Sequence, residues 1–96
     1  MYAIAIIRYR RPLEDVLVHQ DAHRAYLRGL KEQGVLLASG PMNPRFGGLL
    51  LLRVPDDDVR ALDNIRDQDP FFQTGVAQYE LIGWAPVVGV DDLDKL

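Results

Sequence analysis

Apolar positions along the chain change their period several times, and each change marks a predicted element. Tyr2 to Tyr9 is rich in Ile, has aromatic ends and lacks Gly and Pro. It reads as a strand, central because both of its faces are largely apolar. Beyond Arg8, Arg10 and Arg11 the period becomes helical, with Val16, Gln20, His23, Leu27 and Leu30 recurring at three- and four-residue spacing. Pro12 suits the first turn of that helix, and Glu14 and Asp15 suit its positive end. One helix is therefore expected from Pro12 to about Gln33. Gly34 supplies a left-handed cap, and Val35 to Ser39 reads as a second strand, ended by Gly40-Pro41.

Asn43-Pro44 is a turn signal, and Phe46 to Val54 reads as a third strand, paired with the second through a hairpin. Its leucines, Leu49 to Leu52, break strict alternation, so this strand is expected to have two dry faces. Pro55 closes it. Asp56 or Asp57 then caps a second helix through about Arg66, with Val59, Leu62 and Ile65 at i, i+3 and i+6. Asp69-Pro70 opens a further single turn, Asp69 as N-cap and Pro70 in the first helical position, and Gly75 closes it. The last strand runs from Val76 to about Trp84.

The order β-α-β-β-α-β predicts an α+β, ferredoxin-like fold: a four-stranded antiparallel sheet with both helices on one face and the N-terminal and third strands at its centre. Two helices cover only one face, so the other is expected to meet a second copy, giving a homodimer through the sheet face. Residues 1–88 are read as a single domain. Residues 89–96, with Asp91, Asp92, Asp94 and Lys95, form an acidic C-terminal tail expected to be loosely ordered.

Composition narrows the function classes. The 96 residues, 48% of them hydrophobic, suffice for one domain with a real core. A net charge of -3 without a long Lys/Arg run leaves no footprint for a nucleic-acid partner. The apolar N-terminal run lacks a basic leader and is far shorter than a membrane span, so neither a signal peptide nor a membrane partner is expected. With no cysteine there is no thiol nucleophile and no disulfide, which suits a reducing compartment; the expected location is cytoplasmic. No Walker A or G-x-G-x-x-G pattern is present, and no cofactor is expected.

Among polar residues His23 stands out, because imidazole transfers protons in either direction near neutrality. The competing reading is a core histidine satisfied by a neighbour. Asp69 is its natural partner, since a carboxylate fixes the imidazole tautomer and stabilises the imidazolium. Capping the turn at Pro70 is the plainer role for Asp69, and the two roles can coexist. His19 lies four residues before His23, but the run lacks the Glu of H-E-x-x-H and a third ligand, so no metal is expected and His19 reads as a surface residue. Arg8, Tyr26 and Ser39 are the candidates for positioning a substrate. Phe71 is a further substrate-binding candidate, and either Phe71 or Phe72 is expected to shield the pair from water.

These pieces resemble, in order, the YciI-like (YCII-related) proteins: a helix with His23-Arg24-Ala25-Tyr26-Leu27, then Gly34-Val35-Leu36-Leu37-Ala38-Ser39-Gly40-Pro41, then Gly48, then Asp69-Pro70-Phe71 with Gly75-Val76. The likeness extends to Trp84. It implies a ferredoxin-like fold of the dimeric α/β-barrel type, pairing through its sheet faces, with an active site centred on a His/Asp pair that falls here on His23 and Asp69. It also implies proton-transfer chemistry of the dehydrochlorinase kind. The expectation is thus an enzyme using the His/Asp pair for elimination, lyase or isomerase chemistry on a small cyclic or aromatic molecule. The alternative is a non-enzymatic module for binding a small ligand or for dimerisation.

Overall fold

Alternation along the first strand decides the layering. In the computed structural model, which describes residues 1–58 and 60–96, β1 (Tyr2–Tyr9) turns Ala3, Ala5 and Ile7 into the core, while Ile4 and Ile6 on the opposite face stay half-buried. The pattern propagates through the ladder. β3 (Gly47–Arg53) pairs antiparallel with β1, setting Leu52 opposite Ala3 and Leu50 opposite Ala5, so alternate leucines go to opposite faces. On the other side β4 (Ala77–Trp84) pairs with β1 and sets Tyr79 opposite Ile7 and Ala77 opposite Tyr9. β2 (Leu36–Pro41) is the edge next to β3, and the strand order is β2-β3-β1-β4. This is the expected antiparallel sheet of a ferredoxin-like, α+β fold, with β1 and β3 at its centre.

The helices supply the cover for one face. Val16 of α1 (Leu13–Leu17), Leu27 and Leu30 of α2 (Gln20–Glu32), Ile65 of α3 (Ala61–Gln68) and Phe71 of α4 (Pro70–Gln73) join the buried strand residues in one cluster. At about 25 cal/mol per Å² of apolar area removed from water, this layer is the main source of stability. The opposite face keeps Leu49, Ile82 and Trp84 exposed. Among the described residues no helix is long and apolar enough to cross a membrane.

Several boundaries differ from expectation. The helix anticipated from Pro12 to Gln33 is two helices, broken at Val18-His19; the His19 carbonyl accepts from the His23 amide at 3.0 Å and starts the second. Gly40-Pro41 does not end the second strand but continues it, pairing with Leu49 and Gly48, because an edge strand tolerates a proline that gives no N–H to the ladder. The next helix begins at Ala61, and neither Asp56 nor Asp57 caps it. Asp56 instead takes the Met1 ammonium, and Asp58 accepts from the Arg60 amide at 3.1 Å. Val59, expected on this helix, lies outside the described residues.

The tail expected to be loose is a short helix, α5 (Val90–Asp94). Tyr2 donates to Asp94 at 2.5 Å, and Arg53 donates to the carbonyls of Leu93 and Leu96. Tyr2 and Arg53 face each other across β1 and β3, so α5 sits over one end of the open face.

Candidate active site

Two local features hold Asp69 where the fold needs it. Pro70 fills the first position of α4, and the Asp69 Oδ1 caps that turn by accepting from the Phe71 amide at 2.9 Å. Gly75, at a φ of +75°, ends the turn and sends the chain into β4. Asp69 is thereby completely buried. A buried carboxylate is costly unless its oxygens are satisfied, and here they are.

The partners come from two other elements. His23, on the inner face of α2, brings its Nδ1 to 2.8 Å from Asp69 Oδ1 and 3.0 Å from Oδ2, across 46 residues of sequence. Tyr79, from the covered face of β4, donates its hydroxyl to Oδ2. The carboxylate has no hydrogen to give, so the network assigns the imidazole proton to Nδ1. Nε2 then carries the lone pair. Among the described residues it has no hydrogen-bond partner, and no buried side-chain nitrogen or oxygen lacks one, so Nε2 is open to solvent.

Its opening is a cleft of about 200 Å³ between α2, α4 and the strand ends. The Phe71 ring lies flat on the imidazole, centroids 3.8 Å apart and planes 4° from parallel. Tyr9 meets Phe71 edge-on at 6.1 Å. Ser39 lines the mouth from the covered side of β2, where it pairs with Leu50. The site thus has a water-shielded imidazole face and an accessible Nε2.

The negative field of Asp69 and burial both reach the neighbouring phenols. Burial first, and then the Asp69 charge, push the Tyr26 hydroxyl up to about 12. The same two causes, followed by the hydrogen bond to Asp69, push the Tyr79 hydroxyl upward as well. Both remain neutral donors across the ordinary pH range.

Of the residues predicted from sequence, His23, Asp69, Ser39 and Phe71 come together. Tyr26 does not reach the cleft: its hydroxyl donates to the Ile65 carbonyl at 2.7 Å and ties α2 to α3. Arg8 is also elsewhere. It sits on the open face, ion-paired with Glu80 at 2.6 Å, because its position in β1 alternates with that of Tyr9. His19 stands at the start of α2 in a shallow groove with Asp15 and Thr74, and among the described residues no cluster of three or more His, Asp or Glu side chains is placed to hold a metal ion. Sequence reasoning missed Tyr79, Arg24, Arg45 and Gln20. For Tyr79 a signal existed in the alternation of Ala77, Tyr79 and Leu81; for Arg45, in the loop between β2 and β3, none did.

The geometry can be set beside known proteins. A model of the YCII-related domain matches residues 1–85 of the chain. No curated protein matches it by sequence. Among solved structures, the 5-chloro-2-hydroxyhydroquinone dehydrochlorinase TftG from Burkholderia phenoliruptrix AC1100, in complex with 2,5-dihydroxybenzoquinone, superposes with a TM-score of 0.76 at 21% identity, covering 92% of this chain and 97% of that one. At that identity the likeness is one of fold, and the fold is the dimeric α/β-barrel, ferredoxin-like type.

Proposed function

Because the chain belongs to the YCII-related domain family, we propose that it is a small enzyme in which His23 and Asp69 carry general acid–base chemistry on a small cyclic or aromatic molecule. The observation that carries this reading is the polarity of the dyad. Nδ1 is tied to a buried carboxylate that also accepts from Tyr79 and Phe71, which leaves Nε2 as a base at the wall of a cleft. A proton leaves the substrate carbon or hydroxyl for Nε2, the electron pair expels a leaving group or shifts a double bond, and Asp69 stabilises the imidazolium until the proton passes to the leaving group or solvent in an elimination, or back to another substrate carbon in an isomerisation. Elimination, lyase and isomerase reactions all fit this sequence of steps. Ser39 and Phe71 border the substrate.

Size supports a small occupant. The cleft is below the roughly 300–1,000 Å³ usual for drug-sized ligands. A single ring suits it, of the size of the 2,5-dihydroxybenzoquinone held in the dehydrochlorinase complex. The reading includes a cytoplasmic homodimer that buries the open sheet face, where Ile4, Leu49, Leu51, Ile82 and Trp84 present a continuous apolar surface.

The test measures solvent deuterium incorporation into a panel of single-ring ketones and hydroxyquinones, which detects proton transfer without knowledge of the product. Wild type is compared with His23→Asn and Asp69→Asn. Loss of exchange by about 10²–10⁴-fold in His23→Asn is expected. Equal exchange in all three proteins would sink the dyad and favour a ligand-binding module.

A further inference from the structure

The cleft beside His23 holds two arginines that acid–base chemistry does not require. Arg45 arrives from the loop between β2 and β3, and among the described residues its guanidinium is held by neutral acceptors only: Nε donates to the Tyr9 hydroxyl at 3.4 Å and Nη2 to the Gln20 side-chain oxygen. Arg24 lines the cleft from α2, one residue beyond His23, and makes no ion pair among the described residues. Among the described residues no Asp or Glu lines the cleft.

This distribution runs against the chain as a whole, which carries 11 Lys and Arg against 14 Asp and Glu. A guanidinium oriented by neutral partners keeps its full charge and its remaining N–H donors, the arrangement that recognises an oxyanion in two-point fashion. Outside the cleft Arg28 and Lys31 continue the positive strip along α2, where they border an outer groove together with Arg24. Charge of one sign leading into a concave site raises the local concentration of the opposite sign.

We infer that the cleft takes a small single-ring carboxylate, its charged end on Arg45 and Arg24 and its ring along Tyr9 and Phe71. The inference rests on the acid–base reading only for where the reacting hydrogen lies, which is toward His23 Nε2. The anion site itself stands on the two arginines.

The experiment titrates the folded protein with benzoate and, separately, with benzamide, its uncharged counterpart of the same shape, and follows backbone amide shifts by NMR. Saturable benzoate shifts at Ser39, Gly40 and Gly48 are expected, with benzamide about tenfold weaker or worse. Arg45→Gln should weaken benzoate by about tenfold, with Arg45→Lys intermediate because the charge stays and the fork is lost. Lys95→Gln, beside α5 and away from both the cleft and the strip, should leave it unchanged. Benzoate binding no tighter than benzamide, absence of both included, overturns the inference, as does wild-type affinity in both Arg45→Gln and Arg24→Gln. His23→Asn separates the two readings. Retained benzoate binding with undiminished deuterium exchange removes the acid–base reading alone. Lost exchange, with benzoate and benzamide bound equally by wild type, removes the anion site alone.

Discussion

The two faces of the sheet carry the same kinds of side chain in different surroundings. On the covered face, His23, Asp69 and Tyr79 form a hydrogen-bonded set with Asp69 fully out of water. On the open face, Arg8 and Glu80 form a short ion pair whose side chains are each about half exposed. The leucine run makes the comparison within one strand: Leu50 and Leu52 are 2% and 0% exposed, whereas Leu49 between the strand neighbours Gly48 and Leu50 is 43% exposed. Residue type is therefore a poor guide to energetic weight here. Solvent exposure sets the weight, because desolvation makes each satisfied contact matter and each broken one expensive.

The largest effect that sharpens this contrast is expected at Asp69. Asp69→Ala strands the Tyr79 hydroxyl, the His23 Nδ1–H and the Phe71 amide at once, each costing about 1–3 kcal/mol when buried and unpaired. Urea unfolding should register a loss of about 3–5 kcal/mol. Glu80→Ala should stay within about 1 kcal/mol. Comparable losses for the two would break the comparison.

Next come the leucines. Leu50→Ala and Leu52→Ala should each cost about 2–5 kcal/mol through lost burial and residual cavity. Leu49→Ala should cost less than about 1 kcal/mol in dilute protein. If the open face is the dimer contact, Leu49→Lys converts a dimer to a monomer by light scattering at unchanged fold; a wild type that is monomeric at micromolar concentration contradicts that contact.

The smallest effect concerns alkaline pH. Unfolded tyrosines ionise near about pH 10, whereas folded Tyr26 keeps its proton to about 12 and Tyr79 is shifted in the same direction. Above about pH 10 the folded state therefore binds more protons than the unfolded state, and stability falls as pH rises. Below about pH 10 that contribution is complete. Unfolding midpoints should decline from about pH 10 upward, and tyrosinate absorbance should grow in step with unfolding for the two shielded phenols. The decline should be shallower in Tyr79→Phe. A flat stability profile up to pH 12 contradicts the shielding of both hydroxyls.

Much of the fold was legible in the chain because its signals are local. The helical stripe through His23, the Asp69-Pro70 start, Gly75 and the alternation of β1 all act within one or two turns of backbone, where propensity and capping chemistry decide. The misplaced boundaries lie where context overrules those rules. Gly40-Pro41 extends an edge strand rather than stopping it, and Val18-His19 interrupts the helix although the apolar stripe keeps its period, because His19 leaves the helical backbone conformation (φ -104°, ψ 5°). The acidic tail became a helix because Tyr2 and Arg53 hold it through contacts that span 92 and 40 residues of sequence.

For the candidate site the division is similar. The chain alone determined that His23 faces inward and that Asp69 caps a turn, since a helical period and an Asp-Pro start require no distant partner. Only the tertiary structure decided that the two touch, that Tyr79 completes the carboxylate's hydrogen bonds, and that Arg45 rather than Arg8 stands at the cleft. Those outcomes depend on strand register, and in a strand a shift of one residue sends every side chain to the opposite face. Arg8 and Tyr9 are adjacent in sequence, yet the pleat leaves one paired with Glu80 in the open and puts the other at the cleft beside Arg45.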